Sequence, residues 1–77
     1  MKPTSAQLKD FLANRPVAGV ALEFHDYVNV IEGDDAGDSG SVVDLEDIGT
    51  EPIYRVELDS GKSVLVAESH LQHAGES

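Results

Sequence analysis

The stretch GSVVDLEDIGTEPIYRVELDSGKSVLVAESHL, residues 40–71, decides the fold of this 77-residue chain. It contains three short segments of alternating apolar residues separated by turn-forming residues, which is the pattern of consecutive β-strands. Between the second and third segments, Gly61 stands where a tight hairpin needs a residue with positive φ. The stretch therefore predicts an antiparallel meander with strands at 41–45, 53–58 and 63–67.

Alternation along the strands also predicts which side chains face the core. Tyr54, Val56 and Leu58 fall on one face of their strand, and we expect that face to be buried. After the last strand of the meander, residues 68–71 predict one turn of tight helix, and residues 72–73 predict a brief closing strand. The chain thus continues past the meander into a fourth, very short strand.

The residues before the meander predict a further strand and a long loop. The segment YVNVI, residues 27–31, alternates and is rich in β-branched residues, which favours a strand. Residues 32–40 follow with several glycines and acids and no apolar periodicity, which is typical of a loop. Together with the meander and the closing strand, this makes five strands.

The N-terminal residues predict a short helix. Thr4 and Gln7 have the spacing of a capping box, in which each side chain satisfies a free backbone N–H at a helix start. Apolar residues then recur at helical spacing, at Leu8, Phe11 and Leu12. Pro16 disfavours helical geometry at the residue before it, so the helix is expected over residues 5–14. Its apolar face must pack either on the strands or on another chain.

Five short strands in so small a chain favour a small barrel, since closure removes exposed sheet edges. The order DYVNV at 26–30, a long loop with GDSGSVV at 37–43, YRVEL at 54–58, then Gly61, VLV at 64–66, Glu68 and Leu71 resembles bacterial SH3-like barrel domains. The resemblance covers residues 24–73 approximately. Such domains pass from a long first loop through a three-strand meander to a short helical turn and a last strand.

The resemblance implies a mainly β fold, an SH3-like five-stranded small barrel preceded by the N-terminal helix. The chain would form one domain, with the helix and a linker at 1–18, the barrel at 19–73 and a frayed tail at 74–77. Barrels of this type serve as peptide binders, subunit adaptors, RNA-binding modules and inhibitors, so the fold leaves the function open.

The charge of the chain narrows the choice of partner. Fifteen Asp and Glu residues oppose five Lys and Arg, giving a formal net charge of −10. Between residues 23 and 59 the only base is Arg55. Such a field repels nucleic acids and anionic membranes and attracts basic proteins, so we expect a basic protein partner and no contact with nucleic acid or membrane. Alternatively, the charge merely keeps the domain soluble and monomeric, and a monomer is expected over a homo-oligomer.

The composition indicates where the protein resides, and the residues that could carry chemistry do not have the spacing of a catalytic or metal site. The chain has no cysteine and no apolar run long enough for a membrane span, so we expect a cytoplasmic protein. Asp34, Asp35 and Asp38 lack the spacing of an EF-hand, because Ala36 occupies a ligand position. His70 and His73 supply only half of a metal site. We expect no cofactor, no metal and no catalytic residues.

The candidate partner-binding residues are therefore the acids of the two loops beside residues 42–45 and one neighbouring tyrosine. They are Tyr27, Glu32, Asp34, Asp35, Asp38, Glu46, Asp47 and Glu51. The first hypothesis is a small acidic interaction module that uses them to bind a basic protein. The second is an acidic inhibitor, an immunity-type protein or a mimic of DNA charge, blocking a basic nuclease, toxin or transcription factor. A subunit role, with the helix docked on another chain, is a third.

Overall fold

The computed structural model describes residues 1–74 and shows one antiparallel sheet with a helix packed on it. The sheet has five strands in the order β4-β3-β2-β1-β5. The elements are α1 (Ser5–Leu12), β1 (Tyr27–Val30), β2 (Ser39–Asp47), β3 (Ile53–Leu58), β4 (Ser63–Ala67), a 3₁₀ helix (Glu68–His70) and β5 (Leu71–His73). The predicted mainly β fold with an N-terminal helix is confirmed. No helix among the described residues is long and apolar enough to cross a membrane.

The predicted hairpin between β3 and β4 is confirmed, including both strand boundaries. Gly61 has φ +94°, as the turn requires. The Leu58 N–H donates to the Lys62 carbonyl at 2.7 Å and closes the hairpin. The short helical turn and the closing strand also lie close to where the sequence places them.

Strand β2 runs over 39–47 and is longer than the predicted 41–45. Its pairing with β3 is irregular between Val42 and Asp44 and again between Leu45 and Asp47. Each β-bulge adds a residue that has no direct partner, which bends the strand and shifts the phase of its alternation. Glu46 and Asp47, which were predicted to begin an acidic turn, are therefore the last residues of β2.

Gly40 is required where β2 passes between its two neighbours. It pairs with Val28 of β1 and with Leu58 of β3. A Cβ at this position would lie 2.2 Å from the Glu57 carbonyl oxygen, far inside van der Waals contact. The absence of a side chain thus lets three strands approach closely at this point.

The core lies between the bent sheet and α1. The face predicted to be buried is confirmed, since Tyr54, Val56 and Leu58 are all at most 2% exposed. Val28, Val30, Val42, Leu45, Val66 and Phe11 complete the buried set. Phe11 brings the helix into it, with its ring centroid 6.5 Å from that of Phe24 and 6.2 Å from that of Tyr54. The helix therefore packs on the sheet of its own chain.

The two ends of α1 are set by local hydrogen bonds. The predicted capping box between Thr4 and Gln7 is present. The helix ends at Leu12, two residues before the predicted end, because Asn14 adopts φ +59° and the Arg15 N–H donates to the Asp10 carbonyl at 2.7 Å. This is a Schellman-type C-cap, which ends the helix before Pro16 has any influence.

At the other terminus, Ala74 is still attached to the sheet. Its N–H donates to the Tyr27 carbonyl at 2.8 Å, so Ala74 extends the contact between β5 and β1. The remainder of the predicted tail, residues 75–77, lies outside the described residues.

Candidate partner-binding site

The structure divides the eight predicted partner-binding residues into two groups at opposite ends of β2. The first group lies on and beside the β1–β2 loop and comprises Tyr27, Glu32, Asp34, Asp35 and Asp38. The second group lies where β2 ends and the β2–β3 turn begins, and it comprises Glu46, Asp47 and Glu51. Glu51 nevertheless lies near the β1–β2 loop, because it bonds to Ser69 and the neighbouring His70 carbonyl accepts from the Ile31 N–H.

Glu46 and Asp47 of the second group are already paired with cations of the same chain. The Arg55 Nε donates to Glu46 Oε2 at 3.0 Å, and Lys2 Nζ lies 4.0 Å from the other oxygen. Asp47 accepts from the N-terminal ammonium group and from the Gly49 N–H. The N-terminal ammonium group and the Gly49 N–H lower the pKa of Asp47. The negative charges of Glu46 and Asp47 are therefore compensated within the chain.

Glu51 of the second group attaches the β2–β3 turn to the 3₁₀ helix. Its carboxylate accepts from the Ser69 N–H at 2.8 Å and from the Ser69 hydroxyl at 3.3 Å. These donors favour the ionised form and lower the pKa of Glu51. The carboxylate thus has a structural role in joining two segments.

The β1–β2 loop, defined as residues 32–38 and hereafter the acidic loop, has a compact hydrogen-bonded shape. Gly33 and Gly37 adopt φ +94° and +96°, which allow the two turns of the loop. The Gly37 N–H donates to the Val30 carbonyl at 2.9 Å, and the Val30 N–H donates to the Asp38 carbonyl at 2.8 Å. The loop therefore presents its carboxylates on a defined backbone.

Charges at this end of the molecule are poorly compensated. Asp35 accepts from Lys62 Nζ at 2.9 Å, which raises the pKa of Lys62. Asp38 accepts from the Ser39 N–H and the Ser60 hydroxyl. Among the described residues, the exposed carboxylates of Glu32 and Asp34 have neither a hydrogen bond nor an ion pair.

The two tyrosines occupy different environments. Tyr27 is 43% exposed and donates its hydroxyl to Asp59 of the β3–β4 hairpin, and this bond raises the pKa of the phenol. Tyr54 is fully buried, and its hydroxyl donates to Glu68 at 2.7 Å. Tyr54 therefore does not share a surface groove with Tyr27. Asp59 joins the acids of the loop at this end of the sheet.

A cleft of about 340 Å³ lies between the acidic loop and β4. Its aliphatic lining is Val30, Ile53, Leu65, Val66 and Ala67. Its polar lining is Glu32, Asp34, Asp35 and His70, together with Gly33. Leu65, which is 55% exposed, is the most open of the aliphatic side chains. The cleft is therefore aliphatic with carboxylates on one side.

Sequence reasoning did not find this cleft. It lies between the loop after β1 and the edge strand β4, which are about 25 residues apart in the chain, and Lys62 pairs with Asp35 beside it. One signal was available: Leu65 is a large apolar residue on the strand face opposite Val64 and Val66. Such a residue on the outward face of an edge strand is a candidate contact.

The histidines predicted as half of a metal site lie in different surroundings. His70 lines the cleft, whereas His73 Nε2 lies 3.3 Å from Asp26 Oδ1. Within residues 1–74, no group of three or more His, Asp and Glu side chains is arranged to hold a metal ion. Neither histidine is therefore assigned a ligand role.

Comparisons of the chain with protein-family models, with curated proteins and with solved structures found no match. The fold is thus described by its own topology, a five-stranded antiparallel sheet with one helix. Function is inferred from the cleft and from the distribution of charge around it.

Proposed function

We propose that this protein is a small cytoplasmic interaction module, without enzymatic activity, that binds a basic segment of a protein partner at the acidic loop and the adjoining cleft. We also propose an SH3-like barrel as its fold. The strand order, the long loop between β1 and β2 and the 3₁₀ helix between β4 and β5 support that assignment. The fold alone does not select the function.

The observation that carries the proposal is uncompensated negative charge beside an aliphatic cleft. Glu32, Asp34, Asp35, Asp38 and Asp59 gather at this end of the sheet, and Lys62 is the only cation paired with any of them among the described residues. At the other end of β2, the carboxylates of Glu46 and Asp47 are matched by Arg55, Lys2 and the N-terminus. A basic partner therefore gains the most favourable electrostatic energy by binding at the acidic loop.

The chemistry of the cleft favours a protein over other partners. Its aliphatic lining can bury apolar side chains, and the carboxylates of Glu32 and Asp34 can pair with lysine or arginine. Phosphate groups of a nucleic acid or a membrane would be repelled by the same carboxylates. A segment that carries both basic and aliphatic side chains matches both parts of the site.

The inhibitor hypothesis ranks second on the same geometry. A mimic of DNA charge needs carboxylates along one face, because the partner's basic groove runs along a phosphate backbone. Here the carboxylates of the second group already have partners within the chain, so they are not available to a basic groove. We therefore place the interaction module first.

Calorimetric titration with two synthetic octapeptides tests the proposal. One alternates lysine with valine or alanine, and the other carries glutamate in place of lysine. We expect the lysine peptide alone to bind, and its affinity to fall severalfold between about 20 mM and about 300 mM salt because exposed charges are screened. The Glu32→Gln/Asp34→Asn double variant should bind about 3- to 10-fold more weakly, since exposed ion pairs contribute ~0.2–1 kcal/mol each.

The control for net charge is the Asp10→Asn/Glu23→Gln variant, which loses the same charge on the helix and the segment that follows it, one of its two carboxylates being that of Asp10, which is paired with Arg15. It should keep the affinity of the unmodified protein. Equal weakening in both double variants would show that only net charge matters, and binding of the glutamate peptide would contradict the proposal.

A further inference from the structure

We infer that the partner's segment binds as an extended strand that pairs with the free edge of β4 and thereby becomes a sixth strand of the sheet. This inference rests on the proposed function and adds the mode of binding and the chemical pattern of the ligand. Within the part of the chain that the structure describes, strand β4 is the last strand on its side of the sheet and pairs with β3 alone. An unpaired edge is a template for strand addition.

The alternation of hydrogen bonds in the β3–β4 hairpin shows which backbone groups are free. Leu58 and Lys62 are a hydrogen-bonded pair, because the Leu58 N–H donates to the Lys62 carbonyl. Hydrogen-bonded and non-hydrogen-bonded pairs alternate along an antiparallel ladder, so Val64 and Val66 direct their backbone groups toward β3. The backbone groups of Ser63, Leu65 and Ala67 therefore face away from the sheet.

These outward groups are free within the described structure. No backbone hydrogen bond joins Ser63, Leu65 or Ala67 to a loop or terminus among residues 1–74. Three residues spaced by two along β4 thus offer donors and acceptors in the register that one added antiparallel or parallel strand requires.

The acidic loop stands over this edge and touches the chain on either side of it. Asp35 pairs with Lys62, the residue before β4, and Gly33 lies beside His70, just after β4. The cleft between these contacts is lined by Leu65, Val66 and Ala67 of β4. The pair of Asp35 with Lys62 is exposed and contributes little to stability, so a ligand can displace it at small cost.

The chemistry around the edge specifies the segment. Side chains of a strand alternate between its two faces, so one set of the ligand's side chains can lie on the aliphatic lining while the other meets the loop. Glu32 and Asp34 have no hydrogen bond or ion pair among the described residues and can pair with that second set. The preferred ligand is therefore an extended protein segment of about five residues in which aliphatic and basic side chains alternate.

Amide NMR of the full chain tests the inference with two probes. The first is the capped octapeptide of alternating lysine and valine or alanine used above. The second has the same sequence with every backbone nitrogen methylated, so that it keeps its charges and side chains but donates no backbone hydrogen bond. With the first probe we expect the amide protons of Ser63, Leu65 and Ala67 to shift downfield and to exchange at least tenfold more slowly with solvent. Those of Val64 and Val66, which are already paired, should change little.

The methylated probe should bind at least tenfold more weakly and leave the β4 amides unchanged. If both probes bind equally and perturb only the acidic loop, strand addition is wrong while the proposed function stands. If neither probe binds, both the inference and the proposed function fail. A Leu65→Pro variant removes the central outward donor, and Leu65→Ala removes the same side chain but keeps the donor. Strand addition predicts that Leu65→Pro binds markedly more weakly than Leu65→Ala, because both lack the side chain that lines the cleft and only the first also lacks the donor. Should Leu65→Pro not fold, the two-probe comparison still decides.

Discussion

Lys62 Nζ lies 2.9 Å from Asp35 Oδ1, so the β3–β4 hairpin holds the acidic loop through an ammonium group that belongs to the chain itself. The ammonium group bonds to Asp35, one of the carboxylates that line the cleft. It compensates part of the negative charge that the loop presents. Lys62 therefore both anchors the loop and weakens the field that attracts a partner.

Replacing Lys62 by Gln should strengthen binding of the lysine octapeptide. The change removes the cation nearest to the acidic loop, frees the Asp35 carboxylate and increases the negative charge of the cleft. We expect affinity at low salt to rise about 2- to 5-fold, in keeping with the modest energies of exposed charge pairs. Calorimetric titration measures it, with Lys9→Gln on α1 as the control of equal net charge. Weaker binding by Lys62→Gln would mean that the anchoring role outweighs the electrostatic one.

Phe11 anchors α1 to the sheet, and replacing it by Ala should destabilise the whole domain. The side chain is 2% exposed and contacts the rings of Phe24 and Tyr54. Truncating a buried Phe costs about 3–5 kcal/mol, a large share of the ~5–15 kcal/mol that stabilises a typical domain. Urea denaturation gives the free energy of unfolding. The control Leu12→Ala, at a side chain 47% exposed, should lose less than about 1 kcal/mol. Equal losses would contradict the anchoring role of Phe11.

The hydroxyl of Tyr54 connects β3 to the 3₁₀ helix and to the segment after α1. It donates to Glu68 at 2.7 Å and lies 3.3 Å from the Leu22 N–H, while Glu68 also accepts from the Ala21 N–H. Tyr54→Phe removes the hydroxyl alone. We expect a loss of about 1–2 kcal/mol in the free energy of unfolding, because buried polar partners lose a hydrogen bond. Tyr27→Phe, at an exposed tyrosine, should lose markedly less.

The effect of Tyr54→Phe on stability depends on pH, and the pKa of Tyr54 sets the direction of that dependence. Burial, followed by the hydrogen bond to Glu68, raises the pKa of Tyr54 above its ordinary value of 10.0. A raised pKa in the folded state contributes stability that is present below the unfolded pKa and is lost as the pH rises above it. The difference in melting temperature between the protein and Tyr54→Phe should therefore shrink above about pH 10. A difference that grew with pH would contradict the assigned environment.

Glu51 should make the opposite contribution, on the acid side. Its pKa is held below the ordinary value of 4.5 by the N–H and the hydroxyl of Ser69. A lowered pKa in the folded state contributes stability that is present above the unfolded pKa and is lost as the pH falls. The melting temperature of Glu51→Gln should lie below that of the protein near neutral pH, and the gap should close as the pH falls through about 4. Glu57→Gln, at an exposed residue of β3 for which no side-chain partner is found within residues 1–74, should leave the melting temperature near neutral pH almost unchanged.

Local patterns predicted the parts of the fold in which each residue follows the regular period. The strands at 53–58 and 63–67 and the capping box of α1 are of this kind, because alternation, Gly61 and the spacing of Thr4 and Gln7 act over a few residues. The length of β2 was not predictable in this way. Its bulges interrupt the alternation, and so two acids of the strand looked like residues of a turn.

The candidate site depends on contacts between distant segments, which single-sequence patterns do not contain. The acidity of the loop was visible in the sequence, whereas its position beside β4 is seen only in the fold, where Lys62 pairs with Asp35 and the Ile31 N–H donates to the His70 carbonyl. Likewise, the sequence does not distinguish the carboxylates of Glu46 and Asp47 from those of the loop, whereas the fold places the N-terminus and Arg55 beside them. Composition showed the charge, and the fold showed which charges remain uncompensated.

The most direct test of the central claim compares the two ends of β2 in one binding experiment. Glu32→Gln/Asp34→Asn and Glu46→Gln/Asp47→Asn each remove two negative charges, the first from unpaired carboxylates of the acidic loop and the second from carboxylates paired within the chain. Amide NMR spectra confirm that both variants are folded, and calorimetry measures the affinity of each for the lysine octapeptide at low salt. The account predicts that the first variant binds about 3- to 10-fold more weakly and that the second stays within about twofold of the unmodified protein. Weakening confined to the second variant, or equal in both, would contradict it.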